Sequence, residues 1–280
     1  MKPLYLKLVA ISSLILVSFQ PSSNQDFVGQ AYYFSKSKME LGNWGARLSQ
    51  AQKNQIQNRL KNRLEKTFVL SFNQKESMFI EEEKLDAVSG ATDSWGGNFT
   101  RGDQYKNVRE NSLVQSQEFY GKRFLVKDKL YTIDWKMGSD SKQIGQYTCY
   151  KATAMVPVFE LNWYNFSWSD IRRPSENKEE KTKEKEVKMI AVEAWYTLDI
   201  PVSHGPGEFW GLPGLILEVS AGNTTMLCSK IVLNPKKAIT IVAPKKGKEI
   251  NKKDYQTTIR RKMVEMRNNR FSRSRSRRSR

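Results

Sequence analysis

One stretch constrains this chain more than any other: Gly205 to Ser220, GPGEFWGLPGLILEVS, where a Gly/Pro-rich turn runs directly into an apolar strand. Proline presets φ at the second position of a turn and glycine admits the positive φ that a type II turn needs at its third. Leu212-Pro213-Gly214-Leu215 therefore reads as a type II turn with Gly214 in the left-handed region. Leu215, Ile216, Leu217 and Val219 follow as a β-prone run interrupted only by Glu218, the pattern of a strand buried on both faces or nearly so. Gly205-Pro206-Gly207 is a second turn signal, with Phe209 and Trp210 between the two. The expectation is a stiff, aromatic-bearing loop clamped to a core.

The rest of the chain favours strands. Val28 to Phe34 reads as a first strand, and Leu48 to Lys66 as a helix, with Ile56, Leu60 and Leu64 recurring every four residues. Thr67 to Phe72 and Ser77 to Ile80, separated by Asn73-Gln74-Lys75-Glu76, read as a hairpin. Asp86 to Asn111, rich in Gly, Ser, Asp and Asn, reads as a long surface excursion. Leu113 to Tyr120, Arg123 to Val126, Leu130 to Trp135, Gln146 to Ala154 and Val187 to Tyr196 carry the β-branched and aromatic residues of strands, with Gly138-Ser139-Asp140 among the breakers. Thr224 to Leu233 and Ala238 to Val242 add two more strands. Lys252 to Arg267 closes as a helix with Tyr255, Ile259, Met263 and Met266 on one face. Short strands joined by tight turns favour an antiparallel arrangement over βαβ units. The fold class read from the sequence is mainly β: an antiparallel sheet, as a curved sheet, sandwich or open barrel, with one helix after the first strand and one near the C-terminus.

The loop also resembles something known. Ala194-Trp195-Tyr196-Thr197, Ile200-Pro201-Val202-Ser203, Gly205-Pro206 and Gly211-Leu212-Pro213-Gly214-Leu215-Ile216 are similar to the signature of the GLPGLI family, exported bacterial proteins with no established activity. Glu118-Phe119 to Val126, Asp134-Trp135-Lys136 and Ile144 to Ala152 resemble that family's central segment. The resemblance implies an exported protein of a Gram-negative bacterium: periplasmic, outer-membrane-associated or secreted.

The two ends agree with export. Lys2 and Lys7 lie at the start of an apolar run from Leu8 to Phe19, followed by Pro21-Ser22-Ser23-Asn24, the parts of a secretory signal peptide. An N-terminal membrane anchor or a buried helix is the other reading. From Arg260 to Arg280 ten Lys or Arg face Glu265 alone, half of the chain's net charge of +18. Like charges repel and nothing apolar is available to bury, so the Arg/Ser end reads as disordered. Behind a signal peptide it suits anionic lipid or polysaccharide; in a cytosolic protein it would suit nucleic acid. Lys178 to Lys188, with five Lys and four Glu, reads as a charged insert. The expected organisation is a signal peptide at 1–23, one β-rich domain at 24–259 with the insert at 175–188, and a basic helix end plus disordered tail at 260–280. A chain of 280 residues, 39% of them hydrophobic, suffices for one sizeable core or two small ones.

Chemistry is harder to place. An enzyme would draw on Asp199, His204 and Glu208 around the turn, with Ser203 beside the lone histidine. Neighbours in sequence are not a catalytic pair, because the base must reach the nucleophile through space and be oriented by a third group. No GxSxG, HExxH or GxxxxGK[ST] pattern occurs, and paired carboxylates of glycoside hydrolysis stay open because their spacing is spatial. No catalytic residue and no cofactor are assigned. Two distant cysteines and one histidine make no zinc pattern, so no metal is assigned either. Cys149 and Cys228 are read either as a disulfide, which export permits, or as two small buried hydrophobes.

A binding or assembly role uses the same loop differently. Phe209 and Trp210 on a stiffened loop lose little entropy on contact, and with Asp199, His204 and Glu208 they form the candidate ligand or partner surface. Trp163, Tyr164, Phe166 and Trp168 form a second aromatic cluster. Core packing is the alternative for both. A sheet curved around such aromatics suits a small apolar ligand, and the loop suits an envelope protein. The reading is an exported, non-catalytic binding or envelope-assembly protein. Its alternatives are a hydrolytic enzyme acting on an envelope or extracellular substrate, and nucleic-acid binding through the Arg/Ser tail.

Overall fold

The computed structural model describes residues 27–38, 45–82, 99–157 and 189–278. The apolar leader at 1–23, the aromatic cluster at 163–168 and the charged insert at 175–188 lie outside the described residues. Among those described, β1 (Gly29–Ser37) leads to α1 (Gln50–Leu64), then β2 (Glu65–Phe72), β3 (Glu76–Glu81), β4 (Phe99–Asn107), β5 (Ser112–Phe119) and β6 (Lys122–Lys129). Then come β7 (Lys136–Ile144), β8 (Tyr147–Pro157), β9 (Met189–Thr197), β10 (Leu215–Ala221), β11 (Thr224–Leu233), β12 (Lys248–Ile250) and α2 (Lys252–Arg278). α1 starts at a capping box: Ser49 Oγ accepts from the Gln52 N–H while the Gln52 side chain accepts from the Ser49 N–H. No helix among the described residues is long and apolar enough to cross a membrane.

The strands join in one sheet of order β12-β6-β5-β4-β3-β2-β1-β11-β10-β9-β8-β7, antiparallel except where β12 runs parallel to β6. β1 is the seam between two meanders, pairing with β2 on one side and β11 on the other. β6 and β7 are consecutive in the chain yet stand ten spacings apart in the sheet, roughly 48 Å if it were flat. The seven Cα steps from Lys129 to Lys136 reach only about 25 Å fully extended. The sheet must curl until its two ends approach, and the 130–135 segment crosses between them.

Apolar side chains fill the curl. One large cluster joins Ala31 and Tyr33 of β1, Phe68, Leu70 and Phe72 of β2 and residues of β8–β11. A smaller one seats Tyr255, Ile259 and Met263 of α2 against Phe119, Phe124 and Val126 of β5 and β6. In β10 the consecutive residues Leu215, Ile216 and Leu217 are all buried, which strict alternation forbids. A register shift between Ile216 and Glu218 explains it: Leu217 is the extra residue of a bulge.

Several expectations need correction. Residues 99–107 are not surface excursion but β4, in which Gln104, Tyr105, Lys106 and Asn107 are all buried. Leu130 to Trp135 is no strand; it is the crossover, whose Leu130 and Ile133 point into the interior instead of joining a ladder. Gly138-Ser139-Asp140 does not break the chain, because an irregularity between Met137 and Ser141 absorbs it within β7. Ala238 to Val242 pairs with nothing, and the chain rejoins the sheet only at β12. α2 continues to Arg278 where disorder was expected. Its packed first turns supply the nucleus, and each further residue then adds to a helix already begun.

The turn at Gly214 is also different. Positive φ in this segment falls at Gly207 (59°) and Gly211 (96°), not at Gly214. Gly214 is needed for space: β10 opens with Leu215 opposite Thr197, and a Cβ on Gly214 would lie 1.9 Å from the Thr197 carbonyl oxygen. Gly214→Ala is therefore expected to be as damaging as Gly214→Val, at more than about 3 kcal/mol. Gly211→Ala is expected to cost only about 1–2 kcal/mol, for its positive φ. Thermal melts of the three variants check this; a Gly214→Ala protein that melts near the parent would remove the close approach to Thr197 from the account.

Candidate functional site

The β9–β10 connection is closed on itself before it touches anything else. His204 and Trp210 form an isolated antiparallel bridge. Ser203 Oγ donates to the Leu212 carbonyl (2.9 Å), and the Gly211 N–H donates to the Ser203 carbonyl (3.3 Å). The knuckle is bolted to β10 by the Ile216 N–H donating to the His204 carbonyl (3.0 Å), and the Tyr33 hydroxyl ties that strand to β1 by donating to the Ile216 carbonyl (2.6 Å). Two indoles clasp it to the crossover: Trp210 Nε1 donates to the Tyr131 carbonyl and Trp135 Nε1 to the Trp210 carbonyl, both at 2.8 Å.

From there the knuckle reaches across the curl. β10 and β4 are five spacings apart, about 24 Å along a flat sheet. Even so, Lys106 Nζ on β4 donates to the carbonyls of Gly205 (2.7 Å) and Phe209 (3.2 Å). Glu208 accepts from Gln115 Nε2 of β5 (3.3 Å) and pairs with Lys252 at the start of α2, their side chains only 5% and 7% exposed. The Lys252 N–H is held in turn by Asp128 Oδ2 (3.0 Å).

These partners share one face of the sheet. Ser77 lies opposite Lys106, Phe79 opposite Gln104, and Gln104 opposite Gln115, so their side chains project together, with Gln117 two residues further along β5. Ser77 Oγ, Gln115 Oε1, both amide atoms of Gln117 and both ring nitrogens of His204 are buried without a hydrogen-bond partner among the described residues. Each such atom costs about 1–3 kcal/mol unless something satisfies it. Burial, reinforced by the charge of Lys106, pushes the His204 pKa down to about 3, opposed by the Asn73 backbone, which does not reach hydrogen-bond geometry. The imidazole is thus neutral, and one nitrogen donates while the other accepts.

The residues singled out from sequence divide clearly. His204, Glu208 and Phe209 are brought into the interior, and Leu212, Leu215 and Ile216 are fully buried beside them. Trp210 is half-buried in the indole clasp, Gly211 and Pro213 are exposed, and Gly214 is the close approach described above. Asp199 stays exposed, accepting from Thr197 Oγ1 (3.2 Å), and the structure does not bring it to the cluster. Cys149 and Cys228 are free thiols on β8 and β11 with two strands between them. That separation, roughly 14 Å along the sheet, exceeds the about 7 Å a disulfide spans. Burial raises them to about 11 and about 12 respectively. No group of three or more His, Cys, Asp or Glu residues suited to a metal occurs among the described residues.

Lys106, Gln115, Gln117 and Lys252 were missed. A signal existed for two of them: in β5 the buried positions are Leu113, Gln115, Gln117 and Phe119, an inward period-two face with glutamines in apolar places. The cluster's carboxylate is engaged by Lys252 and Gln115, and its imidazole is kept neutral and away from solvent.

Residues 135–218 match the model of a family described as a protein of unknown function (Porph_ging). No curated protein matches the chain. Two solved structures are similar to it. "Structure of PNGF-II in C2 space group" has a TM-score of 0.48 and 15% identity, covering 83% of this chain and 32% of that one. "Structure of PNGF-II in P21 space group" has a TM-score of 0.47 and 14% identity, covering 83% and 33%. The chain thus spans about a third of the length of those proteins.

Two outcomes are expected. Glu208→Gln strands the Lys252 charge in the interior and should cost about 3–5 kcal/mol, whereas Glu208→Gln combined with Lys252→Met should recover most of that loss in denaturant melts. Additive losses in that double variant would remove the pair from the account. His204 has a folded pKa below its unfolded value of about 6.5, so the unfolded chain takes up the proton first. Its contribution is full above about pH 6.5 and falls away as pH drops towards 3, by at most about 1.4 kcal/mol per pH unit. His204→Gln should flatten that part of the stability profile between pH 6.5 and 4; an unchanged slope would mean that the ring titrates normally.

Proposed function

We propose that this chain is an exported, non-catalytic binding or envelope-assembly protein, and that its resemblance to the GLPGLI signature reflects membership of that family. The observation that carries the reading is how the loop's chemistry is used. Glu208, the carboxylate an enzyme would need on the turn, is committed to Gln115 of β5 and Lys252 of α2, and His204 is buried beside it. Phe209 is buried with them and Trp210 donates its indole N–H to the crossover. A stiff scaffold enclosing hydrogen-bonding groups suits holding a molecule better than turning one over.

The proposed address is the periplasm, outer membrane or exterior of a Gram-negative cell. It rests on the basic start, the apolar run and the small polar exit within residues 1–23. The basic segment after Arg260 would then meet anionic lipid or polysaccharide before it met nucleic acid.

Intact mass of the protein recovered from its own cells, fraction by fraction, tests the address. Recovery in the envelope or medium with a mass short of the first twenty or so residues is expected. Full-length mass in the cytosol would overturn export, and with it the choice of envelope partners.

A further inference from the structure

We infer that Lys236–Lys246 is an interaction surface: an unpaired strand that adds, by backbone hydrogen bonds, to an open sheet edge of a partner protein bearing Asp or Glu beside that edge. The inference goes beyond the reading above, since the segment lies outside the knuckle and its test uses neither the knuckle nor the compartment.

Ala238-Ile239-Thr240-Ile241-Val242-Ala243 has the β-branched composition of a strand and about the length of one. Its exposure alternates as in a strand laid on a surface. Ala238, Thr240 and Val242 are exposed, the last at 53%, while Ile239, Ile241 and Ala243 are half-buried. No turn or bend interrupts it. Yet it joins no ladder, and no hydrogen bond or ion pair links any residue from 236 to 246 to a described one. Ile239 and Ile241 join neither apolar cluster. What remains is a row of free donors and acceptors, the property by which one strand adds to another sheet.

The segment is held at both ends. The Asn234 N–H donates to the Val28 carbonyl (2.8 Å), and the Val28 N–H donates to Asn234 Oδ1 (3.2 Å). At the far end Gly247, with φ 135°, lies so close to β6 that a Cβ would meet the Phe124 carbonyl carbon at 2.7 Å. A segment tethered at both ends loses less freedom on pairing than a loose one. Pro235 and Pro244, which cannot donate, limit the ladder to the residues between them.

Charge selects the partner. Lys236, Lys237, Lys245 and Lys246 are exposed and flank the apolar run, two on each side. A second copy brings the same four lysines within a chain of net charge +18, so self-pairing sets like charge against like. Asp or Glu beside a partner's edge meets them with the opposite sign. An anionic polymer would use the lysines and leave the β-branched run and its free backbone unused.

The purified full-length chain is followed by hydrogen exchange, read by mass spectrometry over residues 236–246. In the free chain these amides are expected to exchange as fast as unstructured backbone. The probe is a synthetic peptide of alternating Thr and Val with two Glu at each end. At about ten times its Kd it should slow exchange in this segment about tenfold. The same peptide with Lys ends, and a Glu-ended one N-methylated through its Thr/Val core, should not. Slow exchange in the free chain, or no protection by the Glu-ended peptide, overturns the surface. Equal protection by the N-methylated peptide overturns the ladder, and equal protection by the Lys-ended one overturns the acidic partner. Protection that rises with the concentration of the chain alone overturns the choice of partner in favour of a second copy. Thr240→Pro combined with Ile241→Pro removes an N–H from each edge of the segment. Neither N–H is bonded in the free chain, so this variant should melt like the parent and lose the peptide. If it does not fold, replacing the four lysines by Glu decides: preference must pass to the Lys-ended peptide, and an unchanged preference overturns the inference.

Discussion

The Lys106 ammonium seated on the carbonyls of Gly205 and Phe209 is the contact on which the rest of the architecture depends. It ties together parts of the sheet that a flat arrangement would hold about 24 Å apart, and so exists only in the curled form. A lysine cannot be left in an interior without strong acceptors. Two carbonyls converging from one loop require that loop to turn sharply, and there is no room for a side chain at its first turn: a Cβ on Gly205 would meet Ile216 at 2.7 Å. The sharp turn of the loop at Gly205 thus serves a lysine on β4, a strand about a hundred residues away.

Stability and specificity come from different groups. The large apolar cluster around β1, β2 and β8–β11 supplies most of the hydrophobic driving force, since it removes whole aromatic and aliphatic side chains from water. The polar cluster contributes little net free energy, because burying Lys106, Glu208 and Lys252 costs much of what their contacts return. It selects one register instead. Aromatic packing tolerates small slips, but an ammonium that must meet two carbonyls and a carboxylate that must meet both Gln115 and Lys252 do not. α2 is drawn into the same constraint: its first residue pairs with the loop while Tyr255 and Ile259, one and two turns on, pack against β5 and β6.

What could be read in the chain follows from how local each signal is. The strand after the loop was legible because Leu215 to Val219 announces burial by itself, and α2 was legible because Tyr255, Ile259 and Met263 repeat every four residues. β4 was not. FTRGDQYKN looks like loop because its polar residues are satisfied from far away, Lys106 by Gly205 and Tyr105 by Glu76. Leu130 to Ile133 has strand composition but serves as a crossover, since apolar residues are equally needed wherever chain passes over a core. Gly214 was the right residue for the wrong reason, because a close approach to Thr197 leaves no trace in the sequence around it. The site was half-read in the same way: His204 and Glu208 stood out in an unusual loop, while Gln115 and Lys252 lie within ordinary-looking elements.

The span of the family match sharpens this division. Residues 135–218 hold the indole clasp from Trp135, the bridge between His204 and Trp210, the bond from Ser203 to Leu212 and the bulge at Leu217. That segment carries most of the internal geometry of the knuckle. Ser77, Lys106, Gln115, Gln117 and Lys252 all lie outside it. The wording of the motif is therefore accounted for by sterics and backbone hydrogen bonds: Gly214 for Thr197, Gly205 for Ile216, Gly211 for its positive φ. The chemistry facing the interior is set by strands and a helix that the motif does not contain. A chain could keep the knuckle unchanged and alter what it encloses by substitutions at β3, β4 and β5 alone. On that argument the motif specifies the scaffold, and the polar groups that face the interior are set by the strands and helix beneath it.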